Sequence, residues 1–269
     1  MANKMAKRHR GTYKPDHPAP YEIGRGKIET FIKCPACFYM DRVLGIKFPQ
    51  TFGWNINIAT DVLLKRDFDQ YRELQQAHPF LIASGKGHLV PFQHEDFNRW
   101  TIAQQLGLRT THEPTHFIIG GGLDDVWSNT QTGQIHVVEY KSTSSGTIGK
   151  EITLDDPWKI SYRRQVEMYQ WILRQNGFDV SDTTYFLYCD GDRFTDQSFL
   201  GEEDASMKFK MSLFEYEGDD SWIEETLFRI KETLSSPTCP EHSETGSGLD
   251  CNLPCEYGIL LKGVKDHNL

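Results

Sequence analysis

The chain has 269 residues and a formal net charge of -9, with 38% hydrophobic and 12% aromatic residues. That apolar content supports a sizeable core and excludes a disordered chain, and no apolar run approaches the ~20 residues a membrane-spanning helix needs. The acidic balance argues against a protein that coats duplex DNA through a broad basic face, while leaving room for a local basic groove.

Residues 1–20 read as a disordered tail whose Lys4, Lys7, Arg8 and Arg10 are either solvated or touch phosphates. Gly11, Lys14 and Pro15 stand where a signal peptide would place its apolar core, so a cytoplasmic location is expected. Residues 21–269 are expected to form one α/β domain, and no internal repeat interrupts them. Ile28, Phe31, Ile32 and Phe38 set a helical pattern over 27–44 that Gly45 closes, with Pro35 either kinking the helix or starting it anew. A second helix is expected over 57–74, with Leu64, Phe68 and Tyr71 inward, Ile58 nearer the edge and Asp61 on the same stripe. A short helix follows around 97–106.

Residues 116–127 (HFIIGGGLDDVW) read as a strand, 129–133 as a turn and 135–142 (IHVVEYKS) as the next strand. The helix at about 159–175 ends at Asn176-Gly177, a left-handed cap. Strands over 184–189 and 207–216 come next. Ser221-x-x-Glu224 reads as a capping box opening a helix to about Leu234, and the last ~35 residues look loop-rich.

The two middle strands carry the chemistry. Centring their hairpin on Gln131 or Thr132 puts Asp124 opposite Glu139 to within about one residue, and opposed side chains have Cβ atoms ~4.5–5.5 Å apart. Two carboxylates that close repel each other, and a shared cation would relieve this. Glu139 and Lys141 lie on one face of their strand behind Ile135 and Val137, so an apolar face ends in an acid and a base. Adjacent Asp125 points to the other face. The bland alternative is a solvated salt-bridged cluster.

Gly121-Gly122-Leu123-Asp124, then Glu139-Tyr140-Lys141, then Gln165 with Tyr169 resemble, in order, the GxxD, (E/D)xK and QxxxY motifs of the RecB-like branch of the PD-(D/E)XK nucleases. The opening FIKCPACFY resembles the start of its iron–sulfur-stapled members, the CRISPR-associated ones included. The resemblance runs from about residue 28 to 257, with nothing recognisable over 76–115. It implies a restriction-endonuclease-like core, a central mixed sheet flanked by helices. It also implies Asp124 and Glu139 as ligands of Mg²⁺ or Mn²⁺, Lys141 as the catalytic lysine, and Gln165 and Tyr169 facing the site. Gln165 and Tyr169 share a helix face in any case, and Tyr169 reads equally as core beside Ile172 and Leu173. The family's first-helix histidine or glutamate has no clear counterpart here; Asp61 is the candidate, since a buried lone acid is costly unless paired or on a metal.

Six cysteines in a reducing compartment point to metal binding or core packing before disulfides. Cys34 and Cys37 form a CxxC, and Cys251 and Cys255 a Cx3C. With Cys239 they give five candidates for four places, in a C-terminal extension over 235–269 expected to pack on 27–45. The resemblance implies a [4Fe–4S] cluster. The chain departs from that pattern, with two cysteines at the start, Cys239 set back and none after Tyr257, so structural Zn²⁺ is a rival. Cys189 reads as plain core.

The leading expectation is a metal-dependent deoxyribonuclease acting on single-stranded DNA or DNA ends, with a protein partner in a repair, recombination or CRISPR-type complex as a further implication of the resemblance. Two other classes remain open: a non-catalytic nuclease-fold module that binds nucleic acid or a protein, and a metal-free hydrolase using Asp124 and Glu139 as an acid/base pair. Lys141, two residues from Glu139, disfavours the last because a cation favours the ionised carboxylate.

Overall fold

The computed structural model describes residues 9–47, 55–103, 107–144, 152–243 and 255–266. β1 (Tyr21–Gly24) runs directly into α1 (Arg25–Lys33) and α2 (Pro35–Arg42), followed by α3 (Asn55–Leu74) and α4 (Pro79–Ala83). β2 (Leu89–Pro91), α5 (Phe97–Trp100), β3 (Leu108–His112), β4 (Phe117–Gly121), β5 (Asp125–Asn129) and β6 (Ile135–Thr143) form the middle. α6 (Ile160–Gln175), β7 (Thr183–Gly191), β8 (Phe209–Glu217), α7 (Trp222–Ser235) and α8 (Glu256–Asp266) complete the order.

The fold is α/β, with a mixed five-stranded sheet in the order β2-β5-β6-β7-β8 and a three-stranded one in the order β1-β4-β3. In the larger sheet only β6 and β7 run parallel, and helix α6 lies in the chain between them, as a parallel pair requires a crossover. Both faces of this sheet are covered. Ile135, Val137, Phe186 and Tyr188 pack into one core with Val166, Tyr169 and Ile172 of α6. Val138, Tyr140, Tyr185 and Leu187 pack into a second core with Phe68 of α3 and Trp127. Two-sided burial explains why β6 and β7 read as nearly continuous apolar runs.

Several boundaries differ from expectation for local reasons. The helix expected over 27–44 is two helices. Cys34 between them is extended, at φ -160° and ψ 107°, because the residue before a proline is pushed out of the α region. Pro35 then starts α2 at a position where its missing N–H costs nothing. The strand expected over 116–127 is also two strands in different sheets, joined by Gly122-Leu123-Asp124. A Cβ at Gly121 would stand 2.8 Å from the Tyr169 hydroxyl, and one at Gly122 2.9 Å from the Ala103 Cβ, so the crossing has room for glycine alone.

The helix expected over 97–106 ends at Trp100, with 104–106 outside the described residues. Ser221 precedes α7, but its side chain forms no capping bond and the box does not close. Asp219 accepts from the Ser221 N–H instead, at 3.0 Å. The loop-rich C-terminus contains α8. Among the described residues no helix is long and apolar enough to cross a membrane.

Candidate functional site

β5 and β6 pair Asp125 with Val138, so the preceding residue, Asp124, falls across from Glu139. Asp124 sits at the end of the crossing between sheets and accepts the Tyr140 N–H at 2.8 Å. Glu139 is buried. One of its oxygens takes the Lys141 ammonium, and the other, Oε2, is buried without a hydrogen-bond partner. Such an orphan is costly, and it leaves an acceptor that a hydrogen-bond donor or a cation could take.

The neighbouring Asp125 has a different role. Its carboxylate accepts from Val126 N–H at 2.7 Å, Trp127 Nε1 at 3.1 Å and Tyr140 Oη at 2.6 Å, and it pairs with the Arg72 guanidinium. Fully partnered on the opposite face of the sheet, Asp125 holds α3 to β5.

Asp61 is half-buried on α3. Thr60 beside it is hydrogen-bonded to Ser142 of β6, which fixes this end of α3 against the strand carrying Glu139 and Lys141. Desolvation raises the Asp61 pKa to about 6; Lys141 pulls it down and Glu139 pushes it up. Asp124 is raised well above its ordinary value by burial first, then by Glu139, with Asp61 adding to the repulsion. Lys141 is held above its usual value: burial lowers it, but Glu139 and Asp124 outweigh the burial. The Lys141 ammonium therefore stays charged at neutral pH, among three carboxylates that feel one another.

Gln165 and Tyr169 are both buried on α6. The Tyr169 hydroxyl donates to the Gly122 carbonyl at 2.5 Å, and Gln165 is hydrogen-bonded to the same tyrosine. This pair anchors the crossing that presents Asp124. Tyr169 is thus a core residue whose hydroxyl is bound to the backbone two residues before Asp124. Burial raises its pKa, and Glu139 and Asp124 add to the rise.

Sequence reading passed over Lys65, one helical turn beyond Asp61. Its ammonium is buried with no hydrogen-bond partner and lies 3.8 Å from Asp69. Burial lowers its pKa, while Asp69, Asp125 and Asp124 counter this. The i,i+4 spacing from Asp61 was the available signal.

The second group of interest joins the two ends of the chain. Cys34, Cys37, His242 and Cys255 bring four ligand atoms within 4.8 Å of one another. His242 Nδ1 lies 3.5, 3.7 and 3.3 Å from the sulfurs of Cys34, Cys37 and Cys255, and the Cys37 and Cys255 sulfurs are 3.4 Å apart. A tetrahedron with Zn–S near 2.3 Å and Zn–N near 2.0 Å has edges of about 3.5–3.8 Å, close to these separations. This Cys₃His set could hold a structural metal such as Zn²⁺. The Cys37 thiol hydrogen-bonds Cys34 and pulls it down to about 4 against the effect of burial; the same bond raises Cys37.

Of the five cysteines singled out in the sequence, Cys239 is exposed and outside the set, its sulfur 4.0 Å from the Ala36 carbonyl. Cys251 lies outside the described residues. Cys189 is buried and burial raises its pKa, as for a core thiol. The fourth member of the set, His242, escaped the sequence reading, although Cys239-Pro240-Glu241-His242 has the spacing of a ligand pair.

Among the described residues, this is the one set of three or more potential ligands gathered so closely; Asp61, Asp124 and Glu139 do not meet that spacing. In comparisons with known proteins, no family model matches the chain and no curated protein is significantly similar to it.

Proposed function

We propose that the chain is a divalent-metal-dependent nuclease of the RecB-like PD-(D/E)XK type, with a restriction-endonuclease-like core, that hydrolyses DNA phosphodiester bonds. The observation that carries the reading is the buried, unpartnered Oε2 of Glu139 across from Asp124, with the Lys141 ammonium on the other Glu139 oxygen. Oxygen donors of this kind suit Mg²⁺ or Mn²⁺, and Asp124 and Glu139 would hold the ion, with Asp61 as a third carboxylate. Bound there, such an ion polarises a phosphodiester and lowers the pKa of water. The chain's own contribution is to keep the two carboxylates in register, hold Lys141 charged and aim it at developing charge on the phosphate. Tyr169 and Gln165 keep the Asp124 crossing in place.

The metal at the Cys₃His set is structural in this reading. Its ligand spacing supports a single Zn²⁺ rather than a [4Fe–4S] cluster, because four irons would hold the ligand sulfurs further apart than the one 4.8 Å-wide group seen here.

A non-catalytic module that binds nucleic acid is the reading to separate from this one, since the three carboxylates are not gathered as closely as the cysteines. Lys141→Ala makes the separation. The nuclease account expects Mn²⁺-dependent cleavage of a labelled oligonucleotide, abolished by EDTA and by Lys141→Ala, with binding retained. Binding without cleavage in the unaltered protein, at any Mn²⁺ concentration, leaves the module.

A further inference from the structure

Leading away from Lys141 are two aromatic rings whose placement the chemistry above does not use. The Lys141 ammonium lies 4.3 Å from the centre of the Tyr162 ring. Tyr162 meets Trp158 edge to face, with centroids 5.7 Å apart and planes at 85°. Trp158 is 59% exposed, in the one-turn helix Pro157–Lys159 just before α6. It is also held in place: the buried ammonium of Lys159 lies 4.9 Å from the Trp158 ring, and is itself bound to the Thr153 carbonyl and to Asp156 at 3.0 Å. A single exposed apolar residue needs no explanation. A tryptophan braced by a proline, a buried lysine and a tyrosine, and linked through that tyrosine to Lys141, is a prepared surface.

The net charge of -9 narrows what that surface receives. Phosphate contacts dominate the affinity of most nucleic-acid-binding proteins, and this chain has little long-range attraction to offer. Stacking of a base on an aromatic ring does not depend on net charge and is open to any base. A base inside a duplex already has both faces stacked, so a ring of this kind takes an unpaired one.

We propose that Trp158, backed by Tyr162, is a stacking platform for an unpaired nucleobase of the strand that reaches Lys141. The assignment rests on the nuclease reading for the role of Lys141, and its binding step can be tested without cleavage.

The test measures the affinity of the full chain in EDTA for a dT 12-mer, for an abasic strand of the same length and for a blunt duplex, alongside Trp158→Ala and Trp158→Phe. Trp158→Ala should weaken the dT strand by about five- to a hundred-fold, the span of one base–aromatic stack, and leave the abasic strand unchanged. Trp158→Phe should restore most of the loss, and the salt dependence should be shallow. The platform is overturned if Trp158→Ala binds the dT strand as the unaltered protein does, if it weakens both strands equally, or if the blunt duplex binds as tightly as the dT strand. Failure of the nuclease reading looks different: the unaltered protein discriminates dT from abasic strands through Trp158 and yet cuts neither with Mn²⁺. If it neither discriminates nor cuts, both proposals fall.

Discussion

Removing the metal from the cysteine–histidine set should release the C-terminal helix long before it unfolds the sheet. Cys37 and Cys255 are separated by 218 residues, and a cross-link closing a loop of that length is worth roughly 5 kcal/mol in the chain-entropy account. On the folded side, much of the apolar surface of α8 faces solvent. Ile259, Leu260 and Leu261 are 55%, 61% and 45% exposed, and Cys255 and Tyr257 are the contacts with the Cys34–Ala36–Cys37 cluster. A helix of 11 residues is marginal in water on its own. With the ion bound, opening of 255–266 must break metal bonds; without it, opening should cost no more than about 1 kcal/mol, as at a fraying terminus.

Each 1.4 kcal/mol that the metal bonds add to the cost of this opening is a decade of amide protection. Hydrogen exchange read by mass spectrometry on zinc-loaded and chelated protein measures it, with metal analysis confirming one zinc per chain. Protection should collapse in 255–266 and persist in β6 and β7. Equal exchange of 255–266 in the two forms, or zinc-like protection in Cys255→Ser, would refute the reasoning.

Two further outcomes follow from the acidic site. Asp61 has a raised pKa of about 6, so its folded form prefers the proton: its contribution to stability is complete below the ordinary value near 3.8 and is lost as pH rises through about 6. Asp61→Asn should therefore melt at the same temperature as the unaltered protein at pH 4 and higher at pH 8, and saturating Mn²⁺ should shrink the pH 8 difference; a lower melting temperature at pH 8 would contradict this. Tyr169→Phe removes the bond to the Gly122 carbonyl and should cost about 0.5–1.5 kcal/mol of unfolding free energy together with weaker Mn²⁺ binding, measured by denaturation and titration calorimetry; loss of stability with unchanged Mn²⁺ affinity would make the tyrosine core alone.

What could be read from the sequence was what depends on local periodicity. The two-residue repeat of β6 and the turn at 129–133 were enough to place Asp124 across from Glu139 and to send Asp125 to the other face. The helical stripe that includes Phe68 likewise carries Asp61 inward. What depends on long-range assembly was hidden. The passage of the chain between sheets at Gly122 is set by the approach of Tyr169 and Ala103, neither of them near it in sequence. His242 lies 205 and 208 residues from Cys37 and Cys34, and no local pattern says that it, rather than Cys239, turns toward them. The burial of the Lys65 amine without a hydrogen bond depends equally on what packs over it.

The central claim is that Asp124 and Glu139 hold a divalent cation, and titration calorimetry with Mn²⁺ on the zinc-loaded chain tests it most directly. The account predicts Mn²⁺ binding that Asp124→Asn and Glu139→Gln each abolish while the zinc stays in place, with cleavage of a labelled single strand lost in parallel. Mn²⁺ binding of unchanged affinity in both variants, or cleavage that survives them, would contradict it.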